Sequence, residues 1–192
     1  RLFRALASAY WLIDRPALAA GLWERVAALR PTELTARLLQ FDAALKLNDD
    51  DGMRRLLADI RRIEGGGPLE KYGAATRLIW LASRGDRSGL AEARGLLTAA
   101  AGRRPGWSRI PLALARIDEM EGNAELTLEH LKQAVELGDR QIDVVRRVAQ
   151  LLDEKGRAKE ADDILRRLEA QAPISNDLQR LAAEVALRLD VD

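Results

Sequence analysis

Apolar residues recur along this chain at steps of three and four, and no stretch keeps the two-residue alternation of a half-buried strand. The runs are punctuated at a regular interval. Pro31, Pro68 and Pro105 are 37 residues apart, and Pro173 lies 68 residues, twice 34, beyond Pro105. Each follows a helical segment that it helps to stop. Ala19, Ala93 and Ala161 stand twelve residues before three of these prolines, and Trp23, Leu97 and Leu165 stand eight before them. Gly122 and Gly156 are 34 residues apart, and each is placed to end one helix before the next begins. A small residue on each helix lets two backbones approach, and a bulky one fills the groove beside it. One such pair cannot bury its own apolar stripe, so neighbours must stack.

The elements predicted are antiparallel helix pairs, and the local punctuation agrees. Asp14 with Pro16, Thr32, Ser88, Ser108, Asn123, Asp139 and Ser175 stand where helix N-caps are wanted. Gly65-Gly66-Gly67 and Gly138 stand where helices must stop. A last helix, 175–189, places Leu178, Leu181, Ala182, Val185 and Leu189 on one stripe, with Gln179, Arg180, Glu184, Arg188 and Asp190 elsewhere. Apolar on one side only, it reads as a cap on the array. The first helix has no such cover. That predicts further repeats upstream or a partner surface on the first pair, self-association included.

Composition narrows the function. Ala, Leu, Arg and Glu, all strong helix formers, dominate, so all-α is the one class that fits. The 31 Lys+Arg nearly balance 30 Asp+Glu, without the basic excess of a chain that lives on phosphate contacts. With no cysteine, disulfides, thiolate metal sites and cysteine nucleophiles are excluded. No apolar run approaches the roughly 20 residues needed to cross a bilayer. The chain starts at Arg1 with an apolar helical pattern already running, which reads as part of a longer protein. Its compartment is not written in it; a soluble chain in the cytoplasm is the default expectation.

The pattern resembles the tetratricopeptide repeat, a 34-residue helix-turn-helix. The last unit carries Val145, Val148, Ala149, Leu152, Gly156, Ala161, Leu165, Leu168 and Pro173. The first carries Phe3, Leu6, Ala7, Tyr10, Ala19, Trp23, Val26 and Pro31. The fourth keeps Leu114, Ala115, Gly122, Leu131 and Ala134. It has Asp118 where an aromatic or Leu is usual, Thr127 for the small residue and Asp139 for the proline. Units two and three depart most, each with about three extra residues, expected in the turns 48–52 and 84–89. The resemblance implies a right-handed α-solenoid, one domain over 1–192, with pairs at about 1–31, 32–68, 69–105, 106–139 and 140–173.

Candidate chemistry is sparse. His130 is the one histidine, and the sequence assigns it no partner carboxylate or second ligand. Asp49-Asp50-Asp51-Gly52 lacks the alternating ligands and closing glutamate of a calcium loop, since Arg54 and Arg55 follow; it reads as the start of a helix. Gly65-Gly66-Gly67-Pro68 has neither a strand before it nor Gly-Lys-Ser/Thr after it, so it is a linker and not a phosphate loop. No catalytic residue, metal ligand or cofactor site is expected. Trp23 belongs to the core, whereas Trp11, beside Tyr10, is the best single candidate for a partner contact. Trp80 and Trp107 read as packed between pairs.

The resemblance further implies a concave surface lined by first-helix positions outside the core. These are Arg4, Ser8 and Trp11 in pair one, Arg109, Arg116 and Glu119 in pair four, and Arg146, Gln150 and Asp153 in pair five. Their arginines suit an acidic or carboxylate-bearing peptide. The expected function is a non-catalytic scaffold that holds a peptide or partner helix. The alternatives are a helical-repeat RNA binder and a regulatory arm of an enzyme complex. The first of these needs a basic groove and recurring polar selector residues, which this chain does not show.

Overall fold

Strong helix formers dominate the segments between the turns, and each such segment becomes a helix. The computed structural model describes residues 2–171 and 175–189. Its elements in chain order are α1 (Leu2–Leu12), α2 (Pro16–Leu29), α3 (Leu34–Lys46), α4 (Asp50–Glu64), α5 (Pro68–Ser83), α6 (Leu90–Arg103), α7 (Arg109–Glu121), α8 (Ala124–Glu136), α9 (Ile142–Glu154), α10 (Ala158–Gln171) and α11 (Asn176–Leu189). No strand occurs among the described residues. The fold class is all-α, built of antiparallel helix pairs. Arg1 and Pro173 lie outside the described residues.

The helices fall into two compact units, Arg1–Pro105 and Gly106–Asp192. In the first unit, Ala7, Ala19, Trp23, Val26, Ala27 and Ala36 form one buried cluster. Ala7 and Ala19 are fully buried, so α1 and α2 meet at small residues while Trp23 fills the space beside them. A second cluster joins Phe41, Ala44 and Met53, with Leu57 and Trp80 packed against it. Gly73 marks the tightest approach between α4 and α5, since a Cβ there would stand 2.5 Å from Leu57 Cδ2.

In the second unit, Ala115, Leu131, Val145, Val148, Leu152, Ala161 and Leu165 share one core. Leu178, Leu181 and Val185 of α11 join it, so this helix covers α9 and α10 as a cap. Ser175 Oγ accepts from Leu178 N at 3.4 Å and caps its start.

One backbone device recurs in every pair. The turn joining its two helices contains a residue at positive φ: Asp14 (57°), Asn48 (60°), Gly85 (107°), Gly122 (79°) and Gly156 (67°). The residue after each donates to the carbonyl five positions back, as in Arg15 N to Tyr10 O at 2.8 Å and Arg157 N to Leu152 O at 2.8 Å. The same bond runs from Asp49 to Ala44, Asp86 to Leu81 and Asn123 to Asp118. These are left-handed helix caps that satisfy the orphan carbonyls. They fix the register of the two middle pairs: the caps stand 34, 37, 37 and 34 residues apart.

Several expectations are corrected by this geometry. The turn of pair two, Leu47 to Asp49, matches that of pair one, so its extra residues are not there. They lie downstream, where α4 has 15 residues and α5 has 16. The extra residues of pair three do lie in the turn 84–89. Asp14 is a left-handed turn residue, not an N-cap, and the caps of α2, α3 and α6 are Arg15, Glu33 and Gly89, displacing Asp14, Thr32 and Ser88. Asp139 acts two residues ahead of Gln141, the N-cap of α9, its carboxylate accepting from Gln141 N at 3.0 Å and Gln141 Nε2 at 3.2 Å. Asp49 does cap α4, accepting from Gly52 N at 2.8 Å. The glycine linker is tied, because the Glu64 carboxylate reaches over it to Leu69 N and Glu70 N. Leu6, expected in the core, is exposed on the side of α1 away from the Ala7 cluster.

Candidate peptide-binding surface

Residues 146, 150 and 153 follow at steps of four and three, so one face of α9 presents Arg146, Gln150 and Asp153 together. On α11, Leu181 shares a face with Glu184 and Val185, three and four residues on. These two faces, with the first turn of α10 between them, enclose a shallow cleft of about 100 Å3. Its floor is apolar and buried: Ala149, Ala161, Leu181 and Val185. Its rim is Arg146, Gln150, Asp153 and Glu184, all exposed. Of the expected contact residues, the structure thus brings the three from pair five into one depression. Leu181, Val185, Ala149 and Ala161 were legible only as core positions, and Glu184 only as solvated surface.

Most neighbouring charges are used internally. Arg147 donates to Glu119 at 3.0 Å and lies 3.8 Å from Glu154, so Glu119 is held between α7 and α9. Lys155 reaches Glu125 at 2.5 Å, and Arg157 reaches Glu160 at 2.6 Å. The Lys155 ammonium keeps the Glu125 carboxyl below its ordinary value, and Lys132 with Arg157 does the same to Glu160. Arg146 and Arg116 differ: both are exposed, and neither has an ion-pair partner among the described residues. Arg109 is half-buried at the start of α7.

Pair one answers differently. The Arg4 guanidinium lies 2.5 Å from the Glu33 carboxylate, which occupies it. Trp11 is half-buried against the Ala7 cluster, with the Lys46 ammonium 5.2 Å over its ring. Lys46 also pairs with Asp14 at 2.5 Å. Trp11 is therefore a packed residue under a cation, and Ser8 alone of the three stands open on α1. Trp80 is packed as well: its indole N–H donates to Asn48 Oδ1 at 3.1 Å, and the Arg84 guanidinium stacks 4.4 Å from the ring.

The recovered register shows what the middle pairs place at the same positions. Counting back ten, six and three residues from Asn48 gives Leu38, Asp42 and Leu45; from Gly85 it gives Ala75, Ile79 and Ala82. Leu38, Ala75, Ile79 and Ala82 are buried, and α3 and α5 touch directly. Positions that are polar and open in pair five are thus closed throughout pair three and at Leu38 in pair two, where Asp42 and Leu45 stay half-buried. In place of free charges, Arg77 holds Asp50 through two bonds of 2.6 and 2.9 Å. That guanidinium lowers the Asp50 carboxyl and is itself raised by it.

No group of three His, Asp or Glu side chains among the described residues is arranged to hold a metal ion. No described helix is long and apolar enough to cross a membrane.

Neither a family model nor a curated protein matches the sequence. Solved structures match the fold. A thermophilic tetratricopeptide protein of Thermus thermophilus is similar over 96% of this chain and 97% of its own, with a TM-score of 0.71 at 20% identity. A tetratricopeptide repeat protein from Parabacteroides merdae is similar over 96% of this chain and 70% of its own, with a TM-score of 0.66 at 10% identity. Yeast Tom70 is similar over 98% of this chain and 40% of its own, with a TM-score of 0.62 at 13% identity. The fold of this chain is the tetratricopeptide-type helical repeat.

Proposed function

We propose that the chain is a non-catalytic protein-interaction module and that the α9–α11 cleft binds an acidic peptide segment. The observation that carries this reading is Arg146, an exposed guanidinium with no ion-pair partner among the described residues, set beside an apolar floor. A small aliphatic side chain of the peptide would sit on Ala149, Ala161, Leu181 and Val185. A neighbouring Asp or Glu would take Arg146 in a two-bond contact, with Gln150 available to its backbone. Arg116 on α7 offers a second unpaired guanidinium in the same unit. The mixed Arg, Asp and Glu rim lacks the basic excess that an RNA backbone requires.

The test is selection of peptides from a random dodecamer display library on the whole chain. The expected peptides carry Asp or Glu next to an aliphatic residue. Arg146→Glu should weaken them by about tenfold or more with an unchanged circular dichroism spectrum. Basic peptides, or peptides indifferent to Arg146→Glu, would overturn the reading. Binding to poly(U) that collapses with salt would favour the RNA alternative instead.

A further inference from the structure

Arg37 puts a charge where the other four pairs are apolar. Counting back eleven residues from the left-handed residue of each intra-pair turn gives Phe3, Arg37, Ala74, Pro111 and Val145. The Arg37 guanidinium donates to Gln40 Oε1 at 3.3 Å, one helical turn on along α3. Little else provides for it. The side chain is 17% exposed, and its Nε is shut off from solvent without a hydrogen-bond partner. The nearest carboxylate, Asp59, stands 3.8 Å away and is taken by Arg62 at 2.6 Å. Arg77, in the next pair, shows the alternative: 23% exposed, it holds Asp50 by two bonds of 2.6 and 2.9 Å. A buried guanidinium has five N–H donors to satisfy and a charge to balance. Arg37 has one bond, to a neutral amide.

Arg37 and Gln40 line a groove of about 370 Å3 formed by α2, α3 and α4. Ala20 and Gly21 leave its α2 side bare, since a Cβ at Gly21 would meet no atom within 4 Å. We infer that this groove takes a carboxylate of a partner protein, an Asp or Glu side chain, onto Arg37 and Gln40. With its Oε1 engaged by Arg37, Gln40 offers amide N–H donors, so both residues call for an acceptor. Glu24, Asp49 and Asp59 also line the groove and oppose a phosphate dianion. A carboxylate carries a single charge and meets a guanidinium by two parallel bonds. Asp49 is bound to Gly52 N and Asp59 to Arg62, which leaves the exposed Glu24 to receive a Lys or Arg beside the partner's acid. The groove belongs to the first unit, and the inference does not rest on the α9–α11 cleft.

Acetate is the smallest probe of such a site. The whole chain, labelled with 15N, is titrated with sodium acetate to about 0.3 M at pH 7, chloride holding the ionic strength constant. The Nε–H resonance of Arg37, assigned by its loss in Arg37→Lys, should move along a saturating curve. That of Arg77, already bound by Asp50, should not. Gly21→Trp fills the bare side of the groove and should weaken the response at least about fivefold. Arg37→Met should raise the urea midpoint, because it removes a buried charge that lacks an internal carboxylate. Equal, unsaturated drift at Arg37 and Arg77 overturns the inference, as does saturation that Gly21→Trp leaves unchanged. A lowered midpoint in Arg37→Met would make Arg37 a structural partner of Asp59 and overturn it too. Sodium phosphate saturating the resonance at lower concentration than acetate would assign the groove to phosphate and overturn it equally.

Discussion

Asp118 Oδ2 lies 2.6 Å from His130 Nδ1, linking α7 to α8 inside the second unit. The carboxylate is fully buried, while the imidazole side chain is 20% exposed. Asp118 stands four residues before the left-handed cap Gly122, where pairs one and five place Tyr10 and Leu152. A polar contact thus occupies a position that packing fills elsewhere. Thr127, one helical turn before His130, is buried too and donates its hydroxyl to Asn123 O at 3.0 Å.

Removing one member of this contact should cost more than removing both. His130→Ala takes one partner from a buried carboxylate and should destabilise the chain by about 1–3 kcal/mol. Asp118→Leu combined with His130→Leu should recover most of that loss, since apolar groups of similar volume replace a buried polar pair at little cost. Urea denaturation of the three proteins measures both. A double variant no more stable than His130→Ala would refute this.

The left-handed caps predict effects of opposite sign. Gly122→Ala and Gly156→Ala should each cost about 1–2 kcal/mol, because an L side chain at these torsions is strained. Neither new Cβ would meet any atom within 4 Å, so the loss reports the backbone alone. Asp14→Gly should stabilise by up to about 1 kcal/mol, since it relieves φ 57° and forfeits only an exposed pair with Lys46. Thermal melts of the three variants check the signs.

A substitution toward the family pattern should fail at position 139. Pro31 and Pro105 follow residues at strongly negative φ, Arg30 at −141° and Arg104 at −139°. Asp139 follows Gly138 at φ 98° and donates its own N–H to Ala134 O at 3.0 Å. Asp139→Pro removes that donor and the carboxylate that holds Gln141, and should cost about 2–3 kcal/mol. A denaturation midpoint equal to that of the parent chain would refute this.

Acid should weaken the chain through Asp50. Arg77 holds its carboxyl below the ordinary 3.8, and the unfolded chain lacks that contact. The stabilisation is therefore complete above the unfolded value and is lost as pH falls through the lower, folded one. Glu160, lowered from 4.5 by Lys132 and Arg157, adds to the same window. The melting temperature should change little between about pH 7 and 5 and then drop below about pH 4. Asp50→Asn should lower it at neutral pH and make the acid limb shallower.

The fold was legible because proline, alanine and the bulky residue eight positions before the proline recur in phase. Register in the middle failed for a physical reason. Glycine signals a left-handed cap, but in pair two Asn48 adopts those torsions without announcing it, and in pair three Gly85 sits in a turn lengthened to 84–89. Once those caps are known, Leu38, Ala75, Ile79 and Ala82 fall at the contact positions and are seen to be closed. The charge partners of Arg4 and Arg147 were hidden because Glu33 and Glu119 are distant in sequence. His130 and its carboxylate carried a readable signal: Asp118 was already out of pattern, and both positions sit at fixed offsets from Gly122. Two anomalies in one helix pair were one contact.

The five intra-pair turns also bear on how such a chain is lengthened. All five turns keep the same left-handed step and five-residue-back bond, whether the residue is Asp, Asn or Gly, and in four of them the second helix begins two residues after that step. A segment cut at two of these steps and spliced at a third would meet torsions it already has. Duplication or loss of a pair is then a change of copy number and not of local geometry. The left-handed residue is the joint at which such an array can be edited, by recombination in a genome or by hand.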